Sequence, residues 1–205
     1  MRAITASRFA ADRGVAVADA LAQWRRCEWR AAAYNGGMVD ARMIRRLHAA
    51  DAPAWRELML LALVREPDAF TSDAAESAAL PLDWWARRTV DEVVLGAFDD
   101  ARLAGMVALQ PQARLRVRHK AVVSGLYVRE DRRGGGLGAA LLDAAIDAAR
   151  ARDGLRVLQL QASAHNAAAL RLYAARGFVV FGTEPLAVRH GDGFVTKLHL
   201  WRPLP

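Results

Sequence analysis

At 205 residues the chain is long enough for one domain with a full core, and two would be cramped. Its 54% hydrophobic and 25% charged residues fit a globular protein, and no apolar run reaches the ~18 to 20 residues that span a bilayer. The single cysteine, Cys27, excludes an internal disulfide and lacks the spacing of a zinc site, so no metal and a reducing, cytoplasmic setting are expected.

The net charge is +7, and all but two of the 29 basic residues are arginine. The densest basic cluster, Arg114-Leu-Arg-Val-Arg-His-Lys120, alternates with apolar residues, as a solvated strand or loop face does. A nucleic-acid patch is the rival reading of that charge.

Residues 1–37 differ from the rest, with six arginines against Asp12, Asp19 and Glu28. A weak helical pattern (Val17, Leu21, Trp24) runs into the turn Tyr34-Asn-Gly-Gly37. The segment has no apolar core of a secretion signal. It is expected to be an N-terminal extension, either a disordered or wrongly started leader before a domain at 38–205, or a short arm packing on the domain or a partner.

From Ala41 the domain pattern begins. Met43 to Leu47 reads as a strand, and Asp51 with Pro53 opens a helix with Trp55, Leu58, Met59, Ala62 and Leu63 on one face. Between Glu66 and Trp85 stand Glu66, Asp68, Asp73, Glu76 and Asp83 with no base. Such a stretch either attracts a cationic ligand or caps helices, since Asp73-x-x-Glu76 resembles a capping box. Val93 to Phe98 and Arg102 to Leu109 read as strands joined by the hairpin Asp99-Asp100-Ala101, and residues 110 to 120 as a basic connection.

The chain is organised around VVSGLYVREDRRGGGLGAA, Val122 to Ala140. Val122 to Val128 is a buried strand, Gly134 to Gly136 a bend, and Gly136 to about Arg152 a helix with Leu137, Leu141, Ala145 and Ala148 on one face. Glycines let backbone N–H groups close on a ligand, and a helix N-terminus adds unpaired donors and positive potential, which suits a phosphate. A Walker loop is excluded, because neither lysine, Lys120 or Lys197, lies in the bend. The dinucleotide pattern is formally met by Gly134, Gly136 and Ala139, but the next strand, Leu155 to Gln161, ends in Gln161 instead of the acidic ribose partner.

Ser163 to Asn166 then forms a turn, and Ala167 to Arg176 a helix closed by Gly177. Phe178 to Phe181, Ala187 to His190 and Phe194 to Trp201 make a closing set of strands around Gly191-Asp192-Gly193.

A third glycine pattern, Arg/Gln-x-x-Gly-x-Gly/Ala, is met by Arg133, Gly136 and Gly138. It resembles the acyl-CoA pyrophosphate loop of the Gcn5-related N-acetyltransferase (GNAT) superfamily. Leu158 to Phe178 resembles a second stretch of that superfamily, with Asn166, Ala169, Leu172, Tyr173, Gly177 and Phe178 in place. Glu66-Pro-Asp-Ala-Phe70 is similar to one of its branches.

The resemblance implies an α/β fold with a mixed, mostly antiparallel central sheet flanked by helices, in which strands 121–128 and 155–161 splay apart. It further implies acetyl-CoA as cosubstrate and transfer of acetyl to a primary amine by direct attack in a ternary complex. Pantetheine would pair with Leu126 and Val128 beside Tyr127, as a β-augmentation. The backbone from Arg133 through Gly134, Gly135, Gly136, Leu137, Gly138 and Ala139 would hold the pyrophosphate. A backbone N–H near Leu126 would hold the thioester oxygen. Tyr173 stands where the superfamily's general acid usually sits, and Asn166 either supports the cofactor or caps its helix. The glutamate of the histone-modifying branch aligns with Val122, so the base is open among Glu66, His119, Ser124 and Tyr127. Glu66, Asp68, Phe70 and Ser124 are the candidate substrate-binding residues. The acceptor is a small-molecule or peptide amine, a homodimer is compatible, and no membrane partner is expected. A CoA-binding regulatory module without turnover and a basic nucleic-acid-binding protein are the rival readings.

Overall fold

The computed structural model describes residues 44–205. The N-terminal extension and its boundary at Met38 lie outside the described residues. The strands are β1 (Ile44–Arg46), β2 (Val93–Asp99), β3 (Arg102–Pro111), β4 (Lys120–Val128), β5 (Val157–Ser163), β6 (Val179–His190) and β7 (Gly193–Pro203). The α-helices are α1 (Ala52–Arg65), α2 (Ala74–Ala78), α3 (Leu82–Asp91), α4 (Leu137–Arg150) and α5 (Ala167–Ala174). Among the described residues one seven-stranded sheet has the order β1-β2-β3-β4-β5-β7-β6, and there only β4 and β5 pair in parallel.

Alternation along the central strands sorts the core into two layers. Leu95, Val107, Val123, Leu158 and Leu200 meet α4, whose Leu137, Leu141, Leu142, Ala145, Ile146 and Ala149 are buried. Each large aliphatic side chain in that layer contributes about 1.5–3 kcal/mol. The opposite face of the sheet packs Val94, Met106, Ala108 and Tyr127 against Trp55, Leu58 and Ala62 of α1 and Trp85 of α3. The rings of Trp55 and Trp85 meet edge to face with centroids 5.1 Å apart. Among the described residues no helix is long and apolar enough to cross a membrane.

The expected elements hold with local corrections. The fifth strand begins at Val157 rather than Leu155, because Leu155 N–H turns back to donate to Arg152 O at 3.3 Å. The two short strands expected at 178–181 and 187–190 are one long β6 with shifts in register beside Gly182 and between Glu184 and Val188. Pro185 and the left-handed Leu186 (φ 55°) fall in the second shift. A strand tolerates them there because β6 lies at the sheet edge, where one row of backbone groups needs no partner.

Two acids of the 66–83 stretch stand at helix starts. Asp73 caps α2, accepting from the N–H groups of Ala75 at 2.7 Å and Glu76 at 3.0 Å, and Asp83 lies in the first turn of α3.

Candidate active site

β4 and β5 pair only at Lys120–Val157, Ala121–Leu158 and Val122–Gln159, after which β4 runs on to Val128 without them. A bulge diverts it. Between Met106–Tyr127 and Ala108–Ser124, β4 carries one residue more than β3. Gly125 takes up the extra residue at φ 63°, where a Cβ would stand 3.3 Å from Met59 Cε. A bulge bends its strand and strengthens its twist. The sheet therefore opens a gap whose β4 side is formed by Ser124 to Val128, including Leu126 and Tyr127.

The glycine turn lies where β4 passes into α4. Gly134 and Gly136 are left-handed, at φ 81° and 80°, and a Cβ at Gly134 would meet nothing within 4 Å. Gly136 is the N-cap of α4 and supplies no side chain to it. The N–H groups of Leu137, Gly138 and Ala139 belong to the first turn, where the helix offers no acceptor, whereas Ala140 N–H already donates to Gly136 O at 3.0 Å. These donors with the glycine cradle fit a pyrophosphate.

Arg133 enters differently from the expectation that its N–H joins the cradle. That N–H donates to Glu130 O at 3.2 Å. Its Nε donates to Val128 O at 3.1 Å, one Nη pairs with Glu66 Oε1 at 2.9 Å, and the guanidinium lies 5.4 Å over the Tyr127 ring. Glu66 is thereby placed at the glycine turn.

Tyr173, on α5, is 9% exposed and meets Phe178 edge to face with centroids 6.0 Å apart. Gly177 (φ 76°) turns the chain so that Phe178 N–H donates to Tyr173 O at 3.1 Å. Burial pushes the phenol up to about 12, so it keeps its proton at neutral pH. Asn166 Oδ1 accepts from Ala169 N–H at 3.0 Å, which commits that oxygen to capping α5.

On the face opposite α4, α1 packs on β3 and α3 on β2, while the turn Pro67–Ala69 after α1 reaches β5 and β6. A cavity of about 360 Å³ lies beside that turn, lined by Phe70, Thr71, Gln110, Ser124, Gly125, Gln159, Gln161, Phe181, Lys197 and His199 among others. It contains Phe70 and Ser124 of the expected substrate residues and, among the described residues, no carboxylate. Asp68 stands behind it, its carboxylate engaged by His165 at 3.2 Å and by His190, and its carbonyl accepting from Ser163 Oγ and, at 2.8 Å, from Lys197 Nζ.

Of the candidate bases, only Ser124 lines the cavity. His119 precedes β4, with its carbonyl accepting from Arg156 and Val157, and Tyr127 is buried beneath Arg133. Sequence reasoning passed over Lys197, His199 and Glu184. His199 Nε2–H donates to Glu184 Oε2 at 2.7 Å, and Gln161 Nε2 stands 3.5 Å from its Nδ1. The signal was present, because Lys197, His199 and Trp201 alternate with the core residues Leu198 and Leu200 along β7.

The Acetyltransferase (GNAT) family model matches residues 54–178. An acetyltransferase of the GNAT family from Streptococcus pneumoniae superposes with a TM-score of 0.69 at 25% identity, over 79% of this chain and 99% of that one. A ribosomal-protein-alanine N-acetyltransferase from Brucella melitensis does so with a TM-score of 0.67 at 28% identity, over 79% and 99%. The L-methionine sulfoximine/L-methionine sulfone acetyltransferase of Pseudomonas aeruginosa is 45% identical over 60 residues. That match spans 29% of this chain and 34% of the relative's own length. With more than half of the sequence inside the family match, and an opened sheet beside a glycine-capped helix, the chain belongs to the acetyltransferase (GNAT) family.

Proposed function

We propose that this protein transfers the acetyl group of acetyl-CoA to a primary amine of a small acceptor seated in the cavity beside α1 to α3. The observation that supports it best is the opened sheet, with the phosphate-type cradle at one end of the gap and the cavity on the face opposite α4. Acetyl-CoA supplies the activated acetyl thioester.

The chain's own groups have distinct roles in this reading. The N–H groups of Leu137, Gly138 and Ala139 bind the pyrophosphate, and Arg133 holds the turn to β4 through Val128 O. Ser124 to Val128 line the pantetheine path, with the backbone near Leu126 as the oxyanion donor. The acceptor's neutral amine forms the new C–N bond directly in the ternary complex as the C–S bond breaks. Tyr173, protonated throughout the neutral range, gives its proton to the departing sulfur. His199 receives the proton from nitrogen on Nδ1, since Glu184 takes up its Nε2–H and fixes that tautomer.

The test is release of CoA thiol from acetyl-CoA with a panel of amines. Amine-dependent release is expected. An acetyl-CoA-induced rise in melting temperature with no release for any amine would instead favour a CoA-binding module without turnover. The named activity of the Pseudomonas relative makes L-methionine sulfone a first acceptor to try.

A further inference from the structure

We infer that the acceptor carries an anionic group, in the simplest case the carboxylate of an amino acid, and that Lys197 receives that group in the cavity. The inference rests on the transferase reading above and narrows its acceptor.

Lys197 is 1% exposed, an unusual place for an ammonium without a carboxylate partner. Its Nζ donates to Asp68 O at 2.8 Å, and among the described residues no carboxylate lies within 4.0 Å of it. An ammonium has three donors, so two remain for another acceptor. The Asp68 carboxylate lies against His165 and His190, with its buried Oδ1 accepting no hydrogen bond, and Glu184 lies against His199.

Burial lowers the Lys197 pKa, and the more distant charges of Asp68 and Glu184 only partly oppose that effect. A carboxylate bound in the cavity would supply the missing counter-charge. The cavity wall around it includes Gln159 and, among the described residues, no acidic side chain, while the Gln110 amide donates to Glu92 Oε1 at 2.8 Å outside the lining. A polyamine or other polycation would instead meet a buried like charge. Of the acidic stretch at 66–83 it is Asp68 whose charge acts on Lys197, from behind the cavity, and none of the stretch's carboxylates lines the cavity.

The experiment compares three matched pools of acceptors with the full chain and acetyl-CoA: L-amino acids including L-methionine sulfone, their carboxamides, and the corresponding decarboxylated amines. Thiol release is expected with the first pool, and kcat/KM for the other two should be lower by about 10-fold or more, as loss of a charged hydrogen bond dictates. Lys197→Met should remove most of that preference, whereas Lys197→Arg should retain it. Equal rates for acids and carboxamides in the wild-type protein would overturn the inference and leave the transferase intact. Equal loss on all three pools in Lys197→Met would also overturn it, because Lys197 would then serve the reaction itself. Absence of release with every pool would overturn the inference, and the wider amine panel would then decide the transferase reading by itself.

Discussion

Replacing Tyr173 with phenylalanine removes one hydroxyl from a side chain that is 9% exposed, and two separate effects should follow. The first is kinetic. With the phenol pushed up to about 12, only about one molecule in 10⁵ lacks the proton at pH 7, so the donor is loaded on essentially every turnover. Loss of a positioned acid typically costs about 10²-fold or more in rate. Single-turnover acetyl transfer should fall by that factor, while acetyl-CoA affinity by calorimetry changes little. The second effect is on stability. An unfolded tyrosine ionises near pH 10. The native phenol holds its proton about two units longer, so stability is fully present below pH 10 and is lost as pH rises through about 12. Two units correspond to ~2.7 kcal/mol at most. Urea melts between pH 8 and 11.5 should show wild type losing stability over Tyr173→Phe as pH rises. A single-turnover rate equal to wild type would refute the acid role, and parallel stability curves would refute the buried, protonated phenol.

Gly136→Glu should abolish acetyl-CoA binding, since it sets a charged side chain at a left-handed N-cap (φ 80°) where the phosphate is expected; unchanged affinity in calorimetry would remove the glycine turn from the site. His199→Gln should lower kcat about 10²-fold with acetyl-CoA affinity intact, and Glu184→Gln should produce a smaller loss of the same kind; full activity in both would exclude this pair as the proton acceptor. Asp73→Ala should cost about 1 kcal/mol in urea unfolding through loss of the α2 cap; a changed acceptor KM without a stability loss would return the acidic stretch to the acceptor site.

Local chemistry made much of this protein legible from its residues alone. Gly134 and Gly136 mark a turn that only left-handed backbone can make, and the helix after them follows a 3.6-residue apolar period. Asn166 and Gly177 bracket α5 as cap and stop, and Asp99-Asp100-Ala101 closes a hairpin. Each of these signals lies within a few residues of its own consequence, as short-range sterics and hydrogen bonding require. Tertiary structure decided the rest. Whether Glu66 faced an acceptor or Arg133 depended on how the end of α1 meets the glycine turn, across 67 positions in the chain. Whether Asp68 was an open acid depended on β6 and β7, which supply His190 and Lys197. His199 became a candidate base only when the register of β6 and β7 set Glu184 beside it. A side chain's partner is selected by packing of distant segments, and no local pattern in the chain encodes that meeting.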